Sequence, residues 1–253
     1  MQQIAEDFWN IRGSFKIAKV LDIGTHMSVA RRSNGQFLLL DSYAIGGEDK
    51  RRLVKLTDNG AAIDAIINVH PFHTLHCSKM HELFPGARMI GTARHKRQAP
   101  DVDWDDDDIE DASTQAEFAQ DLDFSVPAGL DLVTGDDSVH AASVLVRHKA
   151  SGVVHVDDTL TVLAAPGALK PLLPQSRLKF HPKLADALQP RAGAADDFAR
   201  WAIDLASDWG ETPAVCAAHS AVRHLQPGGW REEVLRALGD VEKALAKHRA
   251  EYG

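Results

Sequence analysis

The chain has 253 residues, of which 44% are hydrophobic and 25% are charged, and its net charge is −8. This length can bury one large core, and we predict a single domain over residues 1–253. The acidic balance argues against nucleic acid or an anionic membrane as the partner, because both attract clustered Lys and Arg.

The pattern of strands and helices begins with a strand-rich first half. Apolar and β-branched residues typical of strands recur at residues 15–21, 27–30, 36–41, 65–69 and 88–92. Apolar residues at helical spacing predict helices over residues 48–56 and 75–83. The acidic run at residues 101–111 (DVDWDDDDIED) is interpreted as a solvated surface loop.

The second half repeats this order of strands followed by helices. We predict strands at residues 124–127, 130–133, 143–147, 152–157, 160–164 and 213–218. Helices are predicted at residues 183–188, 194–207 and 230–249. Strands followed by helices in both halves predict an α+β fold of four layers, an αββα sandwich in which two packed mixed sheets carry helices on both outer faces.

Targeting and redox signals are sparse in this sequence. We see no apolar run long enough to span a bilayer, and no basic region followed by an apolar core as in a signal peptide. The two cysteines, Cys77 and Cys216, are too few for a disulfide framework. We therefore expect a cytoplasmic protein.

Histidine is frequent, with 13 residues, and several lie where predicted strands end. Predicted strands end at His70, at Asp157-Asp158 and at His219, and His140 lies in a loop between two further strands. Side chains at strand ends can converge on one site, which would explain four such residues better than four separate loop contacts. Alternation places His155 and Asp157 on one face and Asp158 on the other, but a bend at the strand end leaves the choice of aspartate open.

These segments together resemble the metallo-β-lactamase family. NVHPFHTLH is similar to its HxHxDH segment, and TGDDSVHAASVLV to its PGHTPGS segment. GVVHVDDTL resembles the strand that ends in GDTL, VCAAHS the strand before the last histidine, and SVARRSNGQFLLLDSY the opening hairpin. The resemblance implies that His70, His140, Asp158 and His219 are metal ligands.

The first motif departs from the family pattern. In strict register Phe72, Thr74 and Leu75 stand where the family has its second histidine, its aspartate and its final histidine. His73 and His76 form an HxxHxxH series with His70 and could replace the missing ligands. At helical spacing they would share one face with Cys77; alternatively, they simply line the exposed side of the helix together with His81.

The resemblance implies a metal-dependent hydrolase that acts on a small-molecule substrate through a metal-bound water, with Asp158 as the catalytic residue. Because the motif aspartate is absent, we expect one ion rather than two, with zinc preferred to iron. The alternative is a catalytically degenerate, metal-free member that serves as a binding or scaffold protein. The long C-terminal helix could support a homodimer, and no residue identifies the substrate.

Overall fold

The structure is a computed structural model of the chain. It describes residues 1–14, 16–17, 21–22, 24–162, 176–218 and 221–253. The chain divides into two compact units. The first comprises Met1–Phe124 and Val146–His155, and the second comprises Ser125–Leu145 and Val156–Gly253.

A seven-stranded mixed sheet forms the frame of the first unit. Its strands, in spatial order, are β1 (Gln2–Ala5), β2 (Phe8–Gly13), β5 (Thr25–Arg31), β6 (Phe37–Leu40), β7 (Ile63–Ile67), β8 (Arg88–Gly91) and β9 (Trp104–Asp108). Pairing is antiparallel from β1 to β6 and parallel from β6 to β9. Short strands β3 (Lys16–Ile17) and β4 (Leu21–Asp22) pair separately.

Helices cover one face of this sheet. The first unit contains α1 (Gly47–Leu56), α2 (Cys77–Leu83), α3 (Ala93–Gln98) and α4 (Ala112–Glu117). Leu53 of α1 and Met80 of α2 belong to the same apolar cluster as Ile11, Met27 and Val29 of β2 and β5. Because side chains alternate along a strand, Asn10 and Ser28 lie on the opposite face of the sheet.

A second, five-stranded sheet has the order β10 (Leu122–Ser125), β11 (Leu145–His148), β12 (Val154–Val156), β15 (Ala214–Ala217) and β16 (Val222–His224). The second unit contains the β13 (Leu160–Thr161) and β14 (Lys179–Phe180) pair and helices α5 (Leu184–Ala187), α6 (Ala194–Asp208) and α7 (Gly229–Tyr252). Helices α6 and α7 pack through Trp209 and Trp230, whose ring centroids are 6.2 Å apart.

Several predicted elements need correction. The acidic run is not a loop throughout, because β9 pairs in parallel with β8 at the end of the sheet order. At residues 130–133 the strand is reduced to a single bridge between Leu130 and Leu188. Strands β1 and β2 precede the first predicted strand, and parts of the predictions for residues 15–21 and 160–164 lie outside the described residues.

Within the described part of the chain, none of the helices combines the length and the apolar character needed to cross a membrane.

Candidate metal centre

The segment after β7 carries the first predicted ligand. His70 is fully buried, and its ring stacks on His73 with centroids 4.2 Å apart and an interplanar angle of 18°. Its Nδ1 accepts the backbone N–H of Phe72 at 3.1 Å. The predicted replacement for the second motif histidine therefore lies directly against His70.

This hydrogen bond restricts how His70 can bind an ion. A neutral imidazole carries one proton, so a ring that accepts at Nδ1 carries that proton on Nε2. Ligation through Nε2 therefore requires His70 to give up the Phe72 bond and move its proton to Nδ1.

Phe72, in the position of the missing motif histidine, lies beneath an arginine. The Arg94 guanidinium carbon is 4.0 Å from the Phe72 ring centroid, and Arg94 Nη1 donates to Pro71 O at 3.2 Å. A cation over an aromatic face is attractive. Arg94 therefore stabilises the His70–His73 segment through its contacts with Pro71 and Phe72.

His76 packs against a different ring, and the predicted helical face is wrong. Helix α2 begins at Cys77 and has His76 as its N-cap, so His73 precedes the helix. The His76 ring packs edge-on against Tyr43, with centroids 5.4 Å apart. Burial lowers the pKa of His76, and repulsion from His73 lowers it further. This favours neutral imidazole, the form that binds metals.

In the second unit, His140 and Asp158 form a pair. His140 Nδ1 lies 3.0 Å from Asp158 Oδ2, and the Asp158 side chain is only 2% exposed whereas that of His140 is 42% exposed. A carboxylate accepts the proton of Nδ1, which leaves the lone pair of a neutral imidazole on Nε2. One nitrogen is thus fixed by the carboxylate, and the ring remains accessible to solvent.

The backbone around the pair is held on both sides. Val139 and Ala141 flank His140 and pack in one apolar cluster with Ala187 of α5. Thr159, next to Asp158, accepts the backbone N–H of Ser143 through its Oγ1 at 2.8 Å. These contacts restrict the loop and strand end from which the two side chains project.

The donor chemistry of the pair fits a metal ion. Metal-bound histidines characteristically donate their second ring N–H to a carboxylate, which fixes the tautomer. His140 has this arrangement with Asp158 as the orienting carboxylate, and Nε2 would be the atom that binds an ion. A carboxylate has two oxygens, so Asp158 can itself also act as a ligand through its other oxygen.

A separate buried grouping in the first unit was not predicted from the sequence. The potential ligand atoms of His26, Asp41 and His155 lie within 4.8 Å of one another, and all three residues are buried. The rings of His26 and His155 stack with centroids 4.5 Å apart. By composition and proximity, these residues could also hold a metal.

The predicted site residues are thus divided. His70, His73 and His76 belong to the first unit, and His140 and Asp158 belong to the second. The structure brings His70 to His73 and His140 to Asp158. His219 lies outside the described residues.

Sequence reasoning also missed His181, whose ring centroid is 5.6 Å from that of His140. His181 directly follows strand β14 and is in the second unit. It therefore satisfies the strand-end rule that selected His70. The two-residue strand before it is too short to give a recognisable pattern.

Comparisons with known proteins bear on the fold. No protein-family model matches the sequence, and no curated protein matches it either. Among solved structures, the chain is similar to a metallo-β-lactamase from Erythrobacter litoralis with 14% identity, a TM-score of 0.61 and coverage of 96% of this chain and 95% of that one. It is also similar to the metallo-β-lactamase FIM-1 from Pseudomonas aeruginosa in its mono-zinc form, with 11% identity, a TM-score of 0.62 and the same two coverages.

A metallo-β-lactamase from Hirschia baltica is similar with 14% identity, a TM-score of 0.56 and coverage of 94% of this chain and 95% of that one. The chain therefore has the metallo-β-lactamase-like fold, at identities that mark it as divergent. This confirms the fold class predicted from the sequence.

Proposed function

We propose that this chain is a metal-dependent hydrolase whose ion is held by His70, His73, His140 and Asp158, with His76 and His219 as further candidate ligands. The observation that carries the proposal is the His140–Asp158 pair. It joins a loop imidazole to a carboxylate at a strand end, with the proton placement that a metal-binding histidine needs.

The composition of the ligand set supports a single zinc ion, with iron as the second choice. Imidazole and carboxylate suit zinc, and a set with one position open to water is typical of catalytic zinc sites. The similar structure from Pseudomonas aeruginosa is described in a mono-zinc form. Thr74 replaces the aspartate of the family motif, which removes a ligand of the second ion.

Each residue has a defined chemical task in this proposal. A divalent ion, when bound, supplies Lewis-acid activation of water for attack on a carbonyl or phosphoryl group. Asp158 is the catalytic residue, because its second oxygen would bind the ion while its Oδ2 accepts the Nδ1 proton of His140 and keeps the Nε2 lone pair available. The substrate is a small molecule with an amide, thioester or phosphoester bond.

The test is metal analysis of protein purified without chelator. We expect about one ion per chain in the wild type, and roughly a 10- to 100-fold loss of metal affinity in His140→Ala and Asp158→Asn. His70→Ala should lose metal as well. His224→Ala is the matched control, because His224 is an exposed strand histidine whose loss should leave the metal content unchanged. Full metal retention in both His70→Ala and His140→Ala would contradict the proposal.

A second candidate is a metal-free binding or scaffold protein. It is favoured by the three replaced motif positions, of which Phe72 has gained its own stabilising contact with Arg94 and Leu75 is 70% exposed. The same metal analysis separates the two functions. A wild-type protein that binds no divalent ion after incubation with zinc would support the scaffold.

A further inference from the structure

A buried polar cluster lies on the face of the seven-stranded sheet opposite the helices. Asn10 of β2, Ser28 of β5 and Asp41 at the end of β6 are each at most 2% exposed. His155 of β12, fully buried in the same unit, contacts Ser28 and Asp41. Burying polar groups is costly unless they are hydrogen-bonded, so the direction of each bond is informative.

The bonds form a chain with one consistent direction. Arg12 Nη1 donates to Asn10 Oδ1 at 3.2 Å, which fixes the orientation of the amide. Asn10 Nδ2 then donates to Ser28 Oγ at 3.0 Å. Ser28 Oγ in turn lies 2.9 Å from His155 Nδ1, and its hydroxyl proton can be donated to that nitrogen when the nitrogen carries no proton.

The tautomer of His155 follows from its two partners. His155 Nε2 lies 2.8 Å from Asp41 Oδ2, and an ionised carboxylate can only accept, so Nε2 carries the proton and donates it. The Nδ1 of the neutral ring then accepts the Ser28 hydroxyl proton. Ser28, as a donor to Nδ1, thereby favours the one tautomer that can donate to Asp41.

Asp41 connects His155 to the backbone of the candidate site. Its other oxygen, Oδ1, accepts the backbone N–H of Val69 at 2.8 Å, and Val69 directly precedes His70. Asp41 also has a φ of 64°, in the left-handed region that few residues other than glycine adopt. A backbone in this conformation persists only where its surroundings hold it.

We infer that His155, set in its tautomer by Ser28, is a positioning residue that holds Asp41 and thereby fixes the segment Val69–His73. Its significance for catalysis rests on the proposed function, because His70 and His73 are ligands only if that function is correct. The positioning itself does not depend on a metal. It can therefore be measured in the metal-free protein.

Hydrogen bonding explains this cluster better than an ion does. Asn10 Nδ2 lies 3.2 Å from His26 Nδ1, and the orientation of the amide makes it the donor. His155 Nε2 is already protonated toward Asp41. His155 therefore directs no lone pair at the carboxylate, as a shared ion would require.

The test compares His155→Leu, which removes the donor to Asp41, with His155→Gln, whose side-chain amide can replace it. The control pair is His148→Leu and His148→Gln. His148 is also a buried histidine of the first unit, and it bonds to Arg31 O and Ser151 Oγ instead. Amide exchange of Val69 and the imidazole nitrogen shifts of His155 are measured by NMR in metal-free protein.

We expect His155→Leu to accelerate exchange at Val69 by about tenfold or more, as for loss of a charge-assisted hydrogen bond. In His155→Gln, the Val69 exchange rate should stay within roughly threefold of the wild type. Both His148 variants should leave the Val69 exchange rate unchanged once any change in global stability is subtracted. In the wild type, the imidazole nitrogen shifts of His155 should report the Nε2–H tautomer. If His155→Leu fails to fold, Ser28→Ala tests the same series of hydrogen bonds. The expected result is that the nitrogen shifts of His155 no longer report a single tautomer.

Unchanged Val69 exchange in folded His155→Leu would overturn the inference. So would equal acceleration in His148→Leu, or an Nδ1–H tautomer for wild-type His155. A second equivalent of tightly bound zinc that disappears in His155→Leu would overturn it in favour of a buried metal site. Failure of the proposed function has a different signature, since a protein that binds no metal would still show these exchange differences.

Discussion

Cys77 illustrates how burial decides the chemistry of a single residue. It stands at the first position of α2, and its Sγ is 3.6 Å from Asn68 Oδ1 and 3.7 Å from His73 O. Burial raises the pKa of the Cys77 thiol from 9.0 to about 12. Because the thiolate is the form that binds metal, Cys77 is a packing residue despite its proximity to three histidines.

We therefore expect the native protein to resist thiol alkylation at pH 8. A pKa three units higher leaves Cys77 about a thousandfold less thiolate than a thiol of ordinary pKa, and Cys216 is also fully buried. Mass spectrometry after iodoacetamide treatment should show no modification in the native protein and two modified cysteines after unfolding in urea. Rapid native alkylation of Cys77 would contradict the burial described here.

At the scale of secondary-structure elements, Arg32 links separate segments of the first unit. It directly follows β5. Arg32 Nε donates to Asp121 Oδ2 at 2.9 Å, and Nη1 pairs with Asp64 of β7. Burial alone would raise the pKa of Asp121, but hydrogen bonds from Ser33 and Arg32 outweigh it and lower the pKa. Three segments thus share one nearly buried ion-pair network.

Removing the cation should destabilise the protein strongly. We expect Arg32→Gln to cost about 3 kcal/mol in the free energy of unfolding, because two shielded carboxylates lose their partner. Arg31→Gln is the control, since Arg31 is half exposed and pairs with Asp7 at 3.5 Å, and it should cost less than about 1 kcal/mol. Urea denaturation measures both, and equal losses would show that the network contributes little.

The network also predicts a pH dependence with a defined sign. Asp121 has a lower pKa when folded, so its contribution is fully present above the pKa of the unfolded chain, about 3.9. That contribution is lost as the pH falls through the lower folded value. Asp121→Asn should therefore flatten the acid side of the stability curve, as measured by urea denaturation between pH 3 and 6. An unchanged slope would contradict this assignment.

Metal binding, at the scale of the whole molecule, should appear as added stability. A ligand that binds only the folded state stabilises it by about 2.7 kcal/mol at a free concentration of 100 times Kd. For a chain of this size we expect zinc to raise Tm by roughly 5–10 °C. The rise should fall to about half or less in His140→Ala and persist in full in His224→Ala in thermal scans. An equal rise in His140→Ala would place the bound zinc elsewhere.

The sequence predicts those elements of this fold whose apolar pattern lies within the element itself. The run before His70 forms β7 and the amphipathic C-terminal segment forms α7, because each pattern of apolar residues buries one element. The acidic run was predicted to be a loop because the contacts that stabilise β9 come from other parts of the chain. It pairs with β8 through the backbone, and Trp104 packs on the ring of His95. Tertiary packing there outweighs a composition unfavourable to strands.

By itself, the sequence determined the fold class, most of the strands and helices, the strand-end positions of His70 and Asp158, and the loop position of His140. Only the tertiary structure decided which atoms meet: His73 on His70, Asp158 on His140, and His155 between Ser28 and Asp41. The periodicity of apolar residues reports which side of an element is buried, and it is written within a few consecutive turns or strand residues. A hydrogen bond between residues 114 positions apart, as between Asp41 and His155, depends on how separate strands are brought together, and no local pattern records it.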